Sequence, residues 1–119
     1  MRILVVDDDL ELNKLLSRYL ERHGYQVSSA GDALQALDTL ERERIDFVIT
    51  DLMMPMLDGL AFLERLRADP RRKDLPVVFI TAYPSDRKME ESLRKGAAFC
   101  LAKPVDFDRL LTIIRFAEG

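Results

Sequence analysis

Three aspartates stand in a row at Asp7, Asp8 and Asp9, directly behind the apolar run Ile3 to Val6. Like charges this close repel, more strongly as the local dielectric falls, so the cluster needs a counter-charge. Similar apolar runs elsewhere also end in polar chemistry: Asp51 follows DFVIT, Thr81 closes VVFIT and Lys103 follows AFCLA. Carboxylates gathered opposite a hydroxyl and an ammonium make a site for a hard divalent cation together with an anion. Mg²⁺ takes oxygen ligands, keeps several waters and is usually held by one or two carboxylates plus a phosphate oxygen. A cation between Asp7, Asp8 and Asp51 would answer the repulsion. Asp9 is then expected to turn away and cap the helix that follows, where a negative charge meets the helix N-terminus favourably.

These residues meet only if the runs before them are neighbouring parallel strands, and the patterning supports that. ILVV, DFVIT, VVFIT and AFCLA read as buried strands and QVSSA as a weaker one. Between them run helical stripes: Leu12, Leu15, Leu16, Tyr19 and Leu20, stopped by Gly24; Ala33, Leu34, Leu37 and Leu40 behind Asp32; and Leu60, Leu63 and Leu66 within Gly59 to Ala68. Met89 and Leu93 mark a fourth helix, capped by Ser85 or Asp86 and ended by Gly96. Leu110, Leu111, Ile114 and Ala117 mark a fifth, capped by Asp106. Strands alternating with helices imply a mostly parallel sheet covered on both faces, a doubly wound three-layer α/β/α sandwich. Ligands of such sheets bind beyond the carboxyl ends of the strands, where strand order reverses.

The chain is 119 residues long, about one domain, with 18 basic and 21 acidic side chains and a net charge of -3. That balance gives no overall basic field for nucleic acid or anionic lipid. The stretch RLRADPRRK is basic, but Asp69 and Asp74 interrupt it and no aromatic interleaves, so a solvated loop is expected. His23, just before Gly24, suits a helix C-terminus. Cys100 is the single cysteine, which excludes a disulfide framework and a cysteine-rich zinc site. The first apolar run is too short for a signal peptide or membrane span, and a cytoplasmic setting is expected.

The segments LVVDDD, DLMMPMLDG, ITA and LAKP, in this order and at these separations, resemble the receiver domain of two-component response regulators over essentially the whole chain. The resemblance implies one receiver domain across residues 1–119, with a flavodoxin-like five-stranded sheet in the order 2-1-3-4-5. It implies that Asp51 accepts a phosphoryl group from a phosphohistidine, and that Thr81 and Lys103 contact the phosphoryl oxygens. Asp7, Asp8, Asp51 and the backbone carbonyl of Met53 would hold Mg²⁺, and the Lys103–Pro104 bond would be cis. The implied donor is a histidine kinase or phosphotransfer protein. The implied target is an output domain or downstream protein, met through the fourth helix, fifth strand and fifth helix, with a homodimer as a further option and no direct nucleic-acid or membrane contact. Such a protein is a signalling switch whose only chemistry is its own phosphorylation and dephosphorylation.

Two departures from the family pattern stand out. Where receivers carry a switch aromatic, three residues before the lysine, this chain has Cys100, expected to be a small buried hydrophobe. Phe99 is adjacent, but neighbouring strand residues face opposite sides. Tyr83, two residues after Thr81, is expected to take over part of the signalling surface. Met53 and Tyr83 flank the phosphoryl group in similar receivers, and neither offers a carboxylate or amide to orient water, so slow self-dephosphorylation is expected. Two other functions compete: a phosphatase similar to haloacid dehalogenases, using Asp7 with Asp9, and a receiver serving as an unphosphorylated scaffold. Against the phosphatase, Leu-Glu-Leu follows Asp9 where a Thr-containing run belongs, no cap insertion exists, and Asp51 in its DLMMP context goes unexplained.

Overall fold

A strand surrounded by protein on both faces must be apolar at every position, and β1 (Arg2–Val6), β3 (Phe47–Asp51) and β4 (Val77–Thr81) come close to that. In the computed structural model, described over residues 1–82 and 86–119, they form the centre of a parallel sheet. β2 (Gln26–Ala30) and β5 (Phe99–Ala102) are its edges, and the order is β2-β1-β3-β4-β5, as expected. Successive side chains alternate between two cores. Leu4, Val6, Val48, Val77 and Phe79 pack with residues of α2 (Ala33–Arg42) and α3 (Gly59–Ala68), whereas Ile3, Val5, Phe47, Ile49, Val78 and Ile80 pack with α1 (Leu10–Arg22) and α5 (Phe107–Glu118). α4 (Asp86–Arg94) lies against β5, and Ser92 is the one fully buried side chain among those described on it.

Four of the five helix starts are tied by the same device. Asp9, Asp32, Asp58 and Asp106 accept a hydrogen bond from the backbone N–H three residues on, at 2.8–3.1 Å. Each such cap stabilises its helix by about 1 kcal/mol. Asp58 is thus the cap of α3. Ser85 lies outside the described residues, so α4's cap does too. Gly24 and Gly96 end α1 and α4 with φ of 91° and 104°, a left-handed backbone open to glycine. The Lys103–Pro104 bond is cis, as the resemblance implies.

The stripes differ from expectation in detail. Leu15, Leu34, Leu93 and Ala117 are exposed, while Asn13, Ser17, Ala36, Thr39 and Phe62 turn inward. α1 is rotated so that positions 13, 16, 17 and 20 face the sheet, which admits two polar side chains bonded to each other: the Ser17 hydroxyl donates to Asn13 Oδ1 at 3.4 Å. The basic stretch is also more engaged than a solvated loop. Arg71 and Arg72 pair with Asp69 and Glu41, Arg72 donates to the Leu40 carbonyl, and Arg67 reaches the carbonyls of Arg72 and Gly96. The Arg71 hydrogen bonds hold the Asp69 carboxyl down to about 2.

Gly59 opens α3 as a packing residue. Its N–H donates to the Leu52 carbonyl at 2.9 Å, and a Cβ there would lie 2.8 Å from Phe79 Cε1 and 2.9 Å from the Asp51 carbonyl oxygen. Backbone cannot yield as a side-chain tip can, so overpacking applies. Gly59→Ala is expected to lower the unfolding free energy by about 1–3 kcal/mol. Gly31→Ala, whose new Cβ meets only the Gln35 side chain at 3.6 Å, should stay within about 0.5 kcal/mol of the parent in urea denaturation.

Candidate functional site

The sheet places the candidate residues by register. Val6 pairs with Thr50, Asp51 with Ile80 and Thr81 with Ala102, so Asp7, Asp51, Thr81 and Lys103 emerge side by side at the carboxyl ends of β1, β3, β4 and β5. The Lys103 N–H donates to the Thr81 carbonyl at 2.8 Å, which carries that alignment past the end of β5. Strand order reverses at β1, between β2 and β3, and the acids sit at that reversal.

Lys103 is the hub. Its Nζ donates to Asp51 Oδ2 at 2.9 Å and lies 3.0 Å from Asp7 Oδ2. The other oxygens bind backbone: Asp51 Oδ1 accepts the Met53 N–H at 3.0 Å, and Asp7 Oδ1 accepts the Asp9 N–H at 2.9 Å. Asp7 is fully buried and Asp51 is 5% exposed, while Asp8 is open to solvent. Burial pushes the Asp7 carboxyl above the ordinary range, and the Asp51 charge adds to this, while the Asp9 N–H and the Lys103 ammonium pull it back. Burial also disfavours the Lys103 cation, but Asp51 and Asp7 together outweigh it and raise the lysine.

One carboxylate oxygen remains unsatisfied. Asp7 Oδ2 touches the ammonium as an ion pair, yet it is buried with no hydrogen bond directed at it. Oxygens of Asp7, Asp8 and Asp51 all lie within 4.8 Å of one another. An oxygen-only donor set around a buried carboxylate oxygen whose one contact is the ammonium ion pair fits a hard divalent cation. Asp9, by contrast, turns away to cap α1, as expected.

The remaining candidates fall around this centre. Thr81 is buried at the end of β4. Met53 is 43% exposed, its backbone fixed by Asp51 and its sulfur 3.5 Å from Lys88 Nζ. Met56, in the same loop, has φ of 67°, which for a side chain with a Cβ costs about 1 kcal/mol. Cys100 is half-buried against the core that includes Phe79, and burial pushes its thiol up, so it behaves as a small hydrophobe; Phe99 points out. Tyr83 lies outside the described residues. His23 caps α1, its Nδ1 2.8 Å from the Tyr19 carbonyl. Sequence reasoning passed over Asn13, which lies directly behind the acidic loop. The available signal was a polar residue four before Ser17 and three before Leu16, on the stripe that Leu16 and Leu20 turn inward.

Lys103→Met would leave Asp7 and Asp51 facing each other without a counter-charge. It is expected to lower the unfolding free energy at neutral pH, without added metal, by about 3 kcal/mol. Because the native Asp7 pKa is raised, the native state binds that proton more readily than the unfolded chain. The contribution of Asp7 is therefore most favourable below the usual carboxylate range and is lost as pH rises through the native value. The deficit of Lys103→Met should accordingly shrink on acidification in urea titrations.

Comparison with known proteins agrees with this geometry. Residues 3–115 match the family model described as the response regulator receiver domain. The chain is 41% identical over 115 residues to the response regulator MprA of Mycobacterium leprae, covering 97% of this chain and 50% of that protein. The chain thus spans about half the length of that relative. It is 38% identical to an uncharacterized 14.6 kDa protein from the sodA1 3' region of Leptolyngbya boryana, covering 97% of this chain and 88% of that one. Among solved structures it is similar to the chemotaxis protein CheY4 of Vibrio cholerae, with a TM-score of 0.90, 30% identity and coverage of 98% and 97%. A response regulator receiver protein of Pseudomonas putida gives a TM-score of 0.91 at 30% identity, over 96% and 94% of the two chains. A parallel sheet in this order, acids at its reversal and a match along nearly the full chain place this protein among the response regulator receiver domains, the signalling switches of two-component systems.

Proposed function

We propose that residues 1–119 act as one receiver domain that takes a phosphoryl group from a phosphohistidine onto Asp51 and changes conformation to control a partner or output domain. The observation that carries this reading is the Lys103 ammonium lying between Asp51 and Asp7 at 2.9 and 3.0 Å, at the reversal of strand order. A carboxylate is a weak nucleophile, so transfer depends on in-line positioning and on charge to meet the phosphoryl oxygens. An Asp51 oxygen attacks phosphorus, the P–N bond breaks, and the imidazole leaves with the electron pair and takes up a proton. Both Asp51 oxygens are engaged at rest, so one contact must be released. Lys103 is suited to this, since it can move its hydrogen bond from Oδ2 to a phosphoryl oxygen of greater charge. Thr81, at the end of the next strand, is the hydroxyl that contacts another. Mg²⁺ held by Asp7, Asp8, Asp51 and the Met53 carbonyl would neutralise charge on the transferring group. The new charge-assisted contacts then bias two existing conformations.

In this reading the donor is a histidine kinase or phosphotransfer protein, the setting is cytoplasmic, and the output is met through α4, β5 and α5. Those elements expose Leu93, Phe99 and Phe116, the last 85% accessible, and such a surface would also serve a homodimer. Tyr83 and Cys100 belong to its signalling surface. A phosphatase built on Asp7 with Asp9 finds less support, because Asp9 is turned away and occupied as the cap of α1.

Intact mass after incubation with acetyl phosphate tests the reading. A phosphoryl adduct is expected on the parent with Mg²⁺, and neither without Mg²⁺ nor on Asp51→Asn. An adduct surviving on Asp51→Asn would move the nucleophile to Asp7; no adduct from acetyl phosphate or from a phosphorylated kinase would leave a scaffold. The thioether of Met53 offers no group to aim water at phosphorus, so the adduct should decay slowly. Met53→Asn should shorten its lifetime several-fold, and an unchanged decay rate would contradict that role.

A further inference from the structure

Asn13 lies one helical turn into α1 and is buried, where its neighbours at this depth are leucines. Its side-chain Nδ2 faces three backbone carbonyls: Ala30 at 3.0 Å, Asp7 at 3.3 Å and Val5 at 3.4 Å. Its Oδ1 points the other way, toward the Ser17 hydroxyl, which also lies 3.1 Å from Ser29 Oγ. The surroundings thus demand a donor on one side and tolerate an acceptor on the other, which is a carboxamide's pattern and the reverse of a carboxylate's. The Asp7 N–H donates to the same Ala30 carbonyl at 3.1 Å, so Asn13, Asp7 and the end of β2 close around one acceptor.

The Asp7 carbonyl belongs to the peptide that joins Asp7 to Asp8. Holding that oxygen fixes the peptide plane, and the plane sets where the Asp8 side chain leaves the chain. From the opposite side Asp7 Oδ1 holds the Asp9 N–H. The acidic loop is therefore tied at the Asp7 carbonyl by Asn13 and at the Asp9 N–H by its own first aspartate, while Asp7 Oδ2 stays buried beside Lys103 Nζ and Asp8 stays exposed. We infer that Asn13 is a positioning residue for the acidic pocket: by holding the Asp7 carbonyl it sets the geometry in which Asp7 and Asp8 receive a divalent cation. The inference rests on the metal-binding reading given above.

Groups that orient ligands without touching the metal commonly change its affinity by about 10–100-fold when removed. Mg²⁺ alone is titrated into the full chain, and binding is read from the backbone amide NMR shifts of Asp8 and Asp51, so each folded variant reports directly. Asn13→Ala should weaken Mg²⁺ about tenfold, and Asn13→Ser, which keeps a smaller donor, should fall between it and the parent. Ser17→Ala removes only the rear of the network and should stay within about twofold of the parent. Without metal, amide hydrogen exchange at Asp8 and Asp9 should quicken in Asn13→Ala and not in Ser17→Ala. Parent-like Mg²⁺ affinity in both Asn13 variants would overturn the inference. So would an equal loss in Ser17→Ala, since that would be general loosening of α1. Absence of any Mg²⁺-induced shift in the parent would remove the metal reading itself, and this inference with it.

Discussion

Two carboxylates facing each other inside a protein form the constraint around which this molecule is arranged. Asp7 is fully buried and Asp51 nearly so, and between them stands the Lys103 ammonium. Its approach requires β5 to end level with β4, which the hydrogen bond from the Lys103 N–H to the Thr81 carbonyl secures. The β1–β3 pairing brings the two acids together in the first place. The pairings β1–β3, β3–β4 and β4–β5 thus all serve one electrostatic arrangement, and the two cores on either face keep that sheet rigid. The arrangement is satisfied only in part, because one Asp7 oxygen has an ion pair and no hydrogen bond. A pocket with that residual demand is prepared for added positive charge.

The fold was legible because its signals reinforce each other. Apolar runs of strand length alternate with helical stripes, and each of four helices begins behind an aspartate that does cap it. The acids, Thr81 and Lys103 were legible for the same reason: each stands at a strand end, and one architecture puts those ends together. Strand boundaries shifted by a residue, with Asp51 inside β3 and Ala98 outside β5, because pairing in the sheet sets the ends while side-chain type only suggests them.

Less legible were the residues that act through the backbone. Leucines at 12, 15 and 16 imply one orientation of α1, yet the helix turns Leu15 out and Asn13 and Ser17 in. Periodicity scores apolarity alone; it has no means of foreseeing that three carbonyls need a donor there. Gly59 reads as punctuation in the sequence, but its role is absence of volume beside Phe79 and the Asp51 backbone. The arginines of the last turn of α3 and the α3–β4 loop look like surplus charge until Glu41, the Leu40 carbonyl and the Gly96 carbonyl are in place around them. In each case at least one partner belongs to another element, and local composition carries no trace of it.

The burial of Ser92, where the other helices bury leucine or phenylalanine, bears on how easily α4 could part from the sheet. Withdrawing a buried leucine or phenylalanine into water costs about 1.5–3 kcal/mol, and α1, α3 and α5 would each forfeit several such residues. Among its described side chains α4 would withdraw only half-buried groups such as Met89 and one fully buried hydroxyl, whose hydrogen bond to the Met89 carbonyl at 2.7 Å travels with the helix while its contact with Cys100 does not. The hydrophobic debt of detachment is therefore small on this one side of the molecule. A displacement driven by a few charge-assisted hydrogen bonds, each about 1.5–3 kcal/mol, would meet its least resistance there.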